Sequence, residues 1–242
     1  MAGTLCLLGQ AGWEPHYFNV STGNLGSHRM TPVQTARVRR DEAQDSCRVM
    51  GAAWHAPVCD DLQIFYDDRT LRRICAVIRE VAPAVILTHS PDDYMEDHMN
   101  TSRLTVTAAF ARGTPGYRTV PSRKPVAGPV VIYHAMPHGL RDGLRRPVRP
   151  DAFVDTTTVQ AQKRAALARH ESQRAFLKST QGMSDCIRWM DATSRQLGRM
   201  SRRFRHAEGW RRHSHLGFCP EGANPLREVL GRRYYGVRSR EL

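Results

Sequence analysis

A chain of 242 residues with 40% hydrophobic and 24% charged residues is long enough to bury a sizeable core and has an ordinary globular composition. No apolar run approaches the roughly 20 residues that span a bilayer, and the N-terminus shows neither a basic segment nor a small-residue cleavage site; this excludes a membrane-spanning helix and points to a cytoplasmic location. The net charge of +13 raises the question of a polyanionic partner. However, the arginines are spread over Arg37–Arg40, Arg145–Arg149, Arg199–Arg205 and Arg232–Arg240, with no aromatic-interleaved or helix-turn-helix pattern, so they read as a solvated basic face and argue against nucleic acid.

In chain order, residues 2–12 read as a helix fragment. His16–Ser21 (HYFNVS) is strand-like and runs into the glycine-rich turn Thr22–Ser27. Thr31-Pro32 opens a helix to about Met50, with proline in the first turn, where its missing N–H costs least. Ala52–Pro57 reads as a short strand. The stripe Leu71, Ile74, Cys75, Ile78 and Val81 predicts a helix over Arg69–Val81. Ala84–Thr88 is an apolar strand of the kind covered on both faces, and a helix follows from about Met99 to Arg112. Gly113–Pro129, rich in glycine and proline, reads as a surface loop. Val130–His134 and Ala152–Asp155 are strands, and 159–179 and 184–202 are long helices. Strand alternating with helix predicts one α/β domain over residues 1–242, built on a doubly wound sheet. The six cysteines form no C-x-x-C pair, which suits reduced thiols and excludes a zinc-finger framework.

The stretch VILTHSPDDYMEDH, Val85 to His98, passes directly from the apolar strand into two histidines and four carboxylates. Ligands in open parallel sheets bind outside the carboxyl ends of the strands. His98 falls near the start of the next helix, where the dipole disfavours a protonated ring and so keeps it fit for a metal. Asp97 beside it can serve as an outer acceptor or a helix cap, and so can Asp92 or Asp93. One histidine with carboxylates is not a zinc site, which in a catalytic setting takes three protein ligands and an open position.

The run resembles the second active-site motif, D-x-H-x-D-H, of the PIG-L/LmbE-like family of zinc-dependent N-deacetylases. The order of other short strings is similar too: T-x-G at Thr22, R-x-x-E-A from Arg39 to Ala43, Y-H-A-x-P-H-G from Tyr133 to Gly139, and K-x(6)-H-x-S-Q from Lys163 to Gln173. A bacterial subgroup carrying S-P-x-D-Y-M-E-D-H-M-N-T is matched by Ser90–Thr101. Its S-Q-G and A-E-G-W-R-R-H strings are matched by Ser179-Thr180-Gln181-Gly182 and Ala207–His213. The resemblance implies a Rossmann-like, mostly parallel sheet flanked by helices. It also implies a zinc-dependent hydrolase of linear amide C–N bonds that removes an N-acetyl group from a glucosamine-containing or related small conjugate. His98 matches the metal ligand and Asp97 the carboxylate beside it. Arg39, Glu42 and Tyr94 fall to the substrate. Met95 stands where many relatives have a histidine that stabilises the transition state, and a thioether can neither donate nor carry charge; the resemblance implies that the role is either lost at Met95 or taken by another residue, His138 or His134. A homo-oligomer fits the family.

The family's A-H-P-D-D-x-E signature, which supplies two zinc ligands and the general base, precedes a helix that commonly begins G-T-L. Here the sequence begins Met1-Ala2-Gly3-Thr4-Leu5, so the expectation is a fold without its first strand and an incomplete ligand set. His89-Ser90-Pro91-Asp92-Asp93 is not the counterpart, because Ser90 separates His from Pro. Two readings follow: a His-Pro-Asp-Asp segment encoded upstream, or a truncated, non-catalytic paralogue acting as a basic binding protein for polyanions or nucleic acid. Lys163, His170 and Gln173 read as packing residues. His213 and His215 alternate as in a strand and suit a scaffold role, and Trp210 suits the core.

Overall fold

Helix boundaries follow the capping chemistry of the sequence in the computed structural model, which describes residues 1–180 and 185–237. The elements run α1 (Ala2–Gln10), β1 (His16–Phe18), α2 (Pro32–Met50), β2 (Ala53–His55), α3 (Asp68–Val81), β3 (Val85–Thr88), α4 (Glu96–Ala111) and β4 (Val131–Ala135). They continue with β5 (Ala152–Asp155), α5 (Gln160–Ala168), α6 (Glu171–Thr180), α7 (Cys186–Ser201), β6 (Ala207–Arg212), α8 (Pro225–Leu230) and β7 (Tyr234–Gly236). The strands form a parallel pair, β1-β2, and a mixed sheet in the order β3-β4-β6-β5-β7. Gln181 and Gly182 of the S-Q-G string, and the arginines beyond Val237, lie outside the described residues.

Thr31 accepts from the Gln34 amide while the Gln34 side chain accepts from the Thr31 amide, a capping box over α2. α2 ends at Gly51, whose φ of 69° a glycine adopts without strain. Asp67 caps α3 through the Thr70 amide, and Asp185 caps α7 through the Ile187 and Arg188 amides. α4 begins at Glu96, three residues before the expected Met99, because Glu96 and Asp97 place negative charge in its first turn.

The chain folds as two compact units, residues 1–61, 153–208 and 232–235 in one, and 62–152, 209–231 and the residues from 236 in the other. In the first unit, β1 and β2 pair with His16 opposite Ala53 and Phe18 opposite His55. Leu7, Leu8, Cys47, Met50, Val159 and Ala166 build its apolar core. The single helix expected over 159–179 is broken into α5 and α6. The Arg169 and His170 amides turn back to Ala166 and Leu167, and the Glu42 carboxylate accepts the Ser172 amide and hydroxyl at 2.7 Å each, starting a new helix. His206 in this unit is 5% exposed, and neither ring nitrogen has a protein partner. Burial, then Arg195 and Arg205, push its pKa down. The unfolded histidine takes a proton below about 6.5 while the folded one resists it, so this residue erodes stability as pH falls from that value. His206→Leu is expected to stabilise the fold at pH 7 by about 1–3 kcal/mol and to flatten the loss toward pH 5. Urea unfolding at both pH values measures this, and a loss of stability at pH 7 contradicts it.

In the second unit, β3 and β4 are parallel with Thr88 opposite His134, and β4 meets β6 antiparallel with His134 opposite Arg211. Val130–Tyr133, Ile74, Leu104, Ala108 and Trp210 are buried, so Trp210 is a core residue. Val85–Leu87 are only half buried, since β3 stands at the end of the strand order; the expectation of cover on both faces does not hold for it. The 113–129 loop is irregular as expected. Buried Arg79 holds its base by donating to the carbonyls of Ala111, Arg112, Thr114 and Arg123. The alternation expected at His213 and His215 is also corrected. β6 ends at Arg212, the His213 amide makes one more bond to Ile132, and His215 lies in the turn beyond.

Candidate active site

The parallel pair β3-β4 ends with Thr88 beside His134, and each strand releases a loop on that side, as open α/β sheets do at their ligand sites. The loop from His89 to Met95 leads into α4, whose first turn carries His98. His98 Nδ1 lies 3.0 Å from Asp93 Oδ1. The Asp93 side chain is 3% exposed and that of His98 29%, so the carboxylate is sealed behind a ring whose far edge meets solvent. His89 stacks on His98 with centroids 4.4 Å apart and planes 9° apart. Tyr94 stands edge-on to His98 at 5.6 Å, and His138, after β4, leans on Tyr94 at 5.6 Å. Tyr94 and His138 are exposed and form the rim.

These contacts set the charges. Burial alone raises the Asp93 pKa, but the hydrogen bond and charge of His98, with the Met95 amide, outweigh it and hold this carboxyl below its ordinary range. His89 is pushed down to about 4 by burial and then by His98. Desolvation lowers His138 against the pull of Asp93, and desolvation with Asp93 raises Tyr94. At neutral pH the Asp93 carboxyl is therefore ionised, the His89 and His138 imidazoles are neutral, and the Tyr94 phenol keeps its proton.

Beneath the loop, His134 Nδ1 donates to the His89 carbonyl at 2.8 Å and Ser102 Oγ donates to the same oxygen at 3.0 Å. That leaves His134 Nε2 to accept from His213 Nδ1 at 3.0 Å. His134 is thus a brace under His89, and His138 is the ring that reaches the rim. Ser90 Oγ donates to the Asp92 carbonyl at 2.7 Å and accepts from Arg211 Nη2 at 2.6 Å.

The structure brings together His98, Tyr94 and His138 from the sequence-predicted set. Asp97 is buried with Oδ2 accepting the Leu62 amide at 2.9 Å. The carboxylate on His98 is instead Asp93, which the sequence offered only alongside Asp92 and Asp97 as an outer acceptor or cap. Arg39 and Glu42 belong to the other unit, on α2. There Arg39 Nη2 donates to the Gly26 carbonyl at 2.8 Å and Nη1 to Gln173, and Glu42 holds Ser172. A Cβ at Gly26 would lie 2.5 Å from Arg39 Nη2, so the glycine is required by this clamp. Asp93 was only one of three carboxylates offered as an outer acceptor, and Arg211 went unnoticed. The spacing of Asp93 ahead of a helix start was the one available signal; for Arg211 there was none beyond the R-R-H string.

The His98 side chain is 29% exposed, and among the described residues its Nε2 makes no hydrogen bond. Among the described residues no three His, Cys, Asp or Glu side chains converge to hold a metal ion. The described residues thus do not by themselves fit a zinc ion, which takes three or four such donors.

Residues 1–109 match the PIG-L family, described as GlcNAc-PI de-N-acetylase. Over that segment the chain is similar to the PIG-L family. It is 31% identical over 173 residues to 4-oxalmesaconate hydratase of Pseudomonas putida, a match covering 68% of the chain and 65% of that protein. It thus spans just under two thirds of that relative. It resembles the crystal structure of a 4-carboxy-2-hydroxymuconate hydratase from Pseudomonas putida with a TM-score of 0.69 and 25% identity, over 87% of this chain and 88% of the other. It also resembles an N,N'-diacetylchitobiose deacetylase from Pyrococcus horikoshii with a TM-score of 0.69 at 19% identity, over 93% and 82% of the two chains. The expected LmbE-like α/β fold is confirmed, and both deacetylases and hydratases share it. Among the described residues no helix is long and apolar enough to cross a membrane.

Proposed function

We propose that this protein adds water across an electron-poor carbon–carbon double bond of an unsaturated polycarboxylate. The observation that carries the reading is the 31% identity over 173 residues with 4-oxalmesaconate hydratase. The groups at the site suit the reaction. Asp93 accepts the His98 Nδ1 proton at 3.0 Å, which fixes the tautomer and leaves the Nε2 lone pair free, as a carboxylate does for an imidazole base. His98 Nε2 takes a proton from water as the water oxygen bonds to the substrate carbon. The electron pair of the double bond moves toward the conjugated carbonyl and forms an enolate. The Tyr94 hydroxyl and the N–H of neutral His138, both at the rim, hydrogen-bond to that oxygen. The imidazolium then returns its proton to the neighbouring carbon, completing the addition of one water. No step is routed through a metal.

A second reading keeps the family's own chemistry, favoured by the description GlcNAc-PI de-N-acetylase. In it His98 is one zinc donor, Arg39, Glu42 and Tyr94 hold the substrate, Asp97 and His138 act in catalysis, and an N-acetyl group leaves a sugar conjugate. Two assays separate the readings. Hydration of 4-oxalmesaconate removes a conjugated double bond and is followed by loss of ultraviolet absorbance. Deacetylation of N-acetylglucosamine conjugates is followed by the free amine. Loss of absorbance that disappears in His98→Ala, with no amine released, is expected; amine release without hydration overturns the proposal.

A further inference from the structure

Several arginines in the second unit spend their donors on backbone carbonyls. Arg79 makes four such bonds, Arg112 donates to the carbonyls of Ala109, Gly128 and Phe218, and Arg212 donates to that of Ala223. Arg211 differs. Its one hydrogen bond runs from Nη2 to the neutral Ser90 hydroxyl at 2.6 Å. Its Nε is buried with no protein partner, and among the described residues no carboxylate stands within ion-pair distance. A half-buried guanidinium with four unused N–H groups and no counter-charge is costly as it stands, and an incoming carboxylate offsets that cost.

Its place in the sheet says where the carboxylate would come from. Arg211 pairs with His134, and His134 with Thr88, so the three side chains share one face at the carboxyl ends of β3 and β4. Ser90, which holds the guanidinium, is the residue after His89, whose ring stacks on His98. The segment Arg141–Arg149 borders the same loop, since a Cβ at Gly143 would lie 3.4 Å from the Asp93 carbonyl oxygen. Arg141, Arg145, Arg146 and Arg149 are all exposed on it. Its single acid, Asp142, accepts the Leu144 and Arg146 amides and caps the turn. The border of the site thus carries positive charge suited to drawing in an anion.

We propose that Arg211, positioned by Ser90, binds a carboxylate of the substrate, so that this site takes a di- or tricarboxylate rather than an uncharged sugar. This rests on the hydratase reading for the reaction but not for the binding. The guanidinium fork matches a carboxylate with two parallel N–H donors, which a lysine cannot reproduce.

The test is calorimetric titration of the full chain with propane-1,2,3-tricarboxylate, a saturated probe that cannot be hydrated. The uncharged triamide is the control. Saturable one-to-one binding of the triacid but not the triamide is expected. Arg211→Gln is expected to weaken it roughly 10- to 100-fold, with Arg211→Lys in between. An Arg145→Gln/Arg146→Gln pair is expected to reduce the salt dependence while leaving affinity at high salt unchanged. If Arg211→Gln does not fold, Ser90→Ala, which removes only the positioning hydroxyl, is expected to weaken binding several-fold. No binding by the wild-type chain, or equal binding by a folded Arg211→Gln or Ser90→Ala variant, overturns the proposal. Arg211-dependent binding without turnover of 4-oxalmesaconate sinks the hydratase reaction and leaves the carboxylate site standing.

Discussion

Asparagine in place of Asp93 is expected to lower kcat by about 100-fold or more while leaving KM and the unfolding midpoint close to wild type. The cause is local. Asp93 Oδ1 accepts the Nδ1 proton of His98 at 3.0 Å, and an amide in its place presents either a neutral oxygen or an N–H. The first weakens the stabilisation of an imidazolium; the second forces the tautomer that puts the proton on Nε2, where the base is needed. Asp97 stands only one residue from His98 and is the natural candidate from sequence, but its Oδ2 is engaged by the Leu62 amide. Asp97→Asn is therefore expected to cost about 1–3 kcal/mol of stability through a weakened charged hydrogen bond and the helix dipole, with kcat changed by less than about threefold. Steady-state kinetics and denaturant unfolding of the two variants give a crossed pattern. A larger kcat loss in Asp97→Asn than in Asp93→Asn sinks the assignment of the orienting carboxylate.

The largest stability effect is expected at Glu208. This buried carboxylate accepts from the Gly3 and Thr4 amides at 2.9 and 2.8 Å and from the Thr4 hydroxyl at 2.8 Å, and pairs with buried Lys163 at 2.8 Å. Lys163 in turn reaches Ser194 at 3.1 Å. Burial works against the charge, but Lys163 and the Thr4 amide hold the Glu208 pKa well below its ordinary value. A folded pKa depressed in this way contributes stability that is present above the unfolded value, near 4.5, and is lost only as pH falls through the folded one. Glu208→Gln strands the Lys163 ammonium and is expected to cost about 3–5 kcal/mol at pH 7. Adding Lys163→Met removes the stranded charge and is expected to recover part of that loss, a non-additive pair. Urea unfolding of the wild type, the two single variants and the double variant closes the cycle. Additive losses would mean that the two side chains do not act as a pair.

Much of this was legible in the sequence, and what was not has identifiable physical reasons. The run from Val85 to His98 disclosed a strand, a turn and a helix start, and with them the position of His98, Tyr94 and the loop. Asp93 was not singled out from Asp92 and Asp97 because its reach to His98 depends on the Ser90–Asp92 turn, held by a side-chain bond from Ser90 to the Asp92 carbonyl, which no periodicity encodes. Arg211 is 121 residues from Ser90 in the chain, so only the strand order brings them together. β6 itself was hidden because its buried side includes Glu208, a charged residue in a core position that the hydrophobic pattern reads as surface. The break between α5 and α6 escaped for a similar reason: Glu42, far back on α2, supplies the acceptor that starts α6. Arg39 illustrates the converse. The resemblance gave it to the substrate, whereas its guanidinium donates to Gly26 and Gln173 within the first unit.

Incubation with 4-oxalmesaconate and an N-acetylglucosamine conjugate in oxygen-18 water, followed by mass spectrometry, tests the central claim most directly. Addition of water at the site defined by His98 and Asp93 predicts one heavy oxygen in a new hydroxy acid, abolished in Asp93→Asn, and unlabelled acetyl groups left on the sugar. Heavy oxygen appearing in free acetate, with the unsaturated acid unchanged, would contradict it.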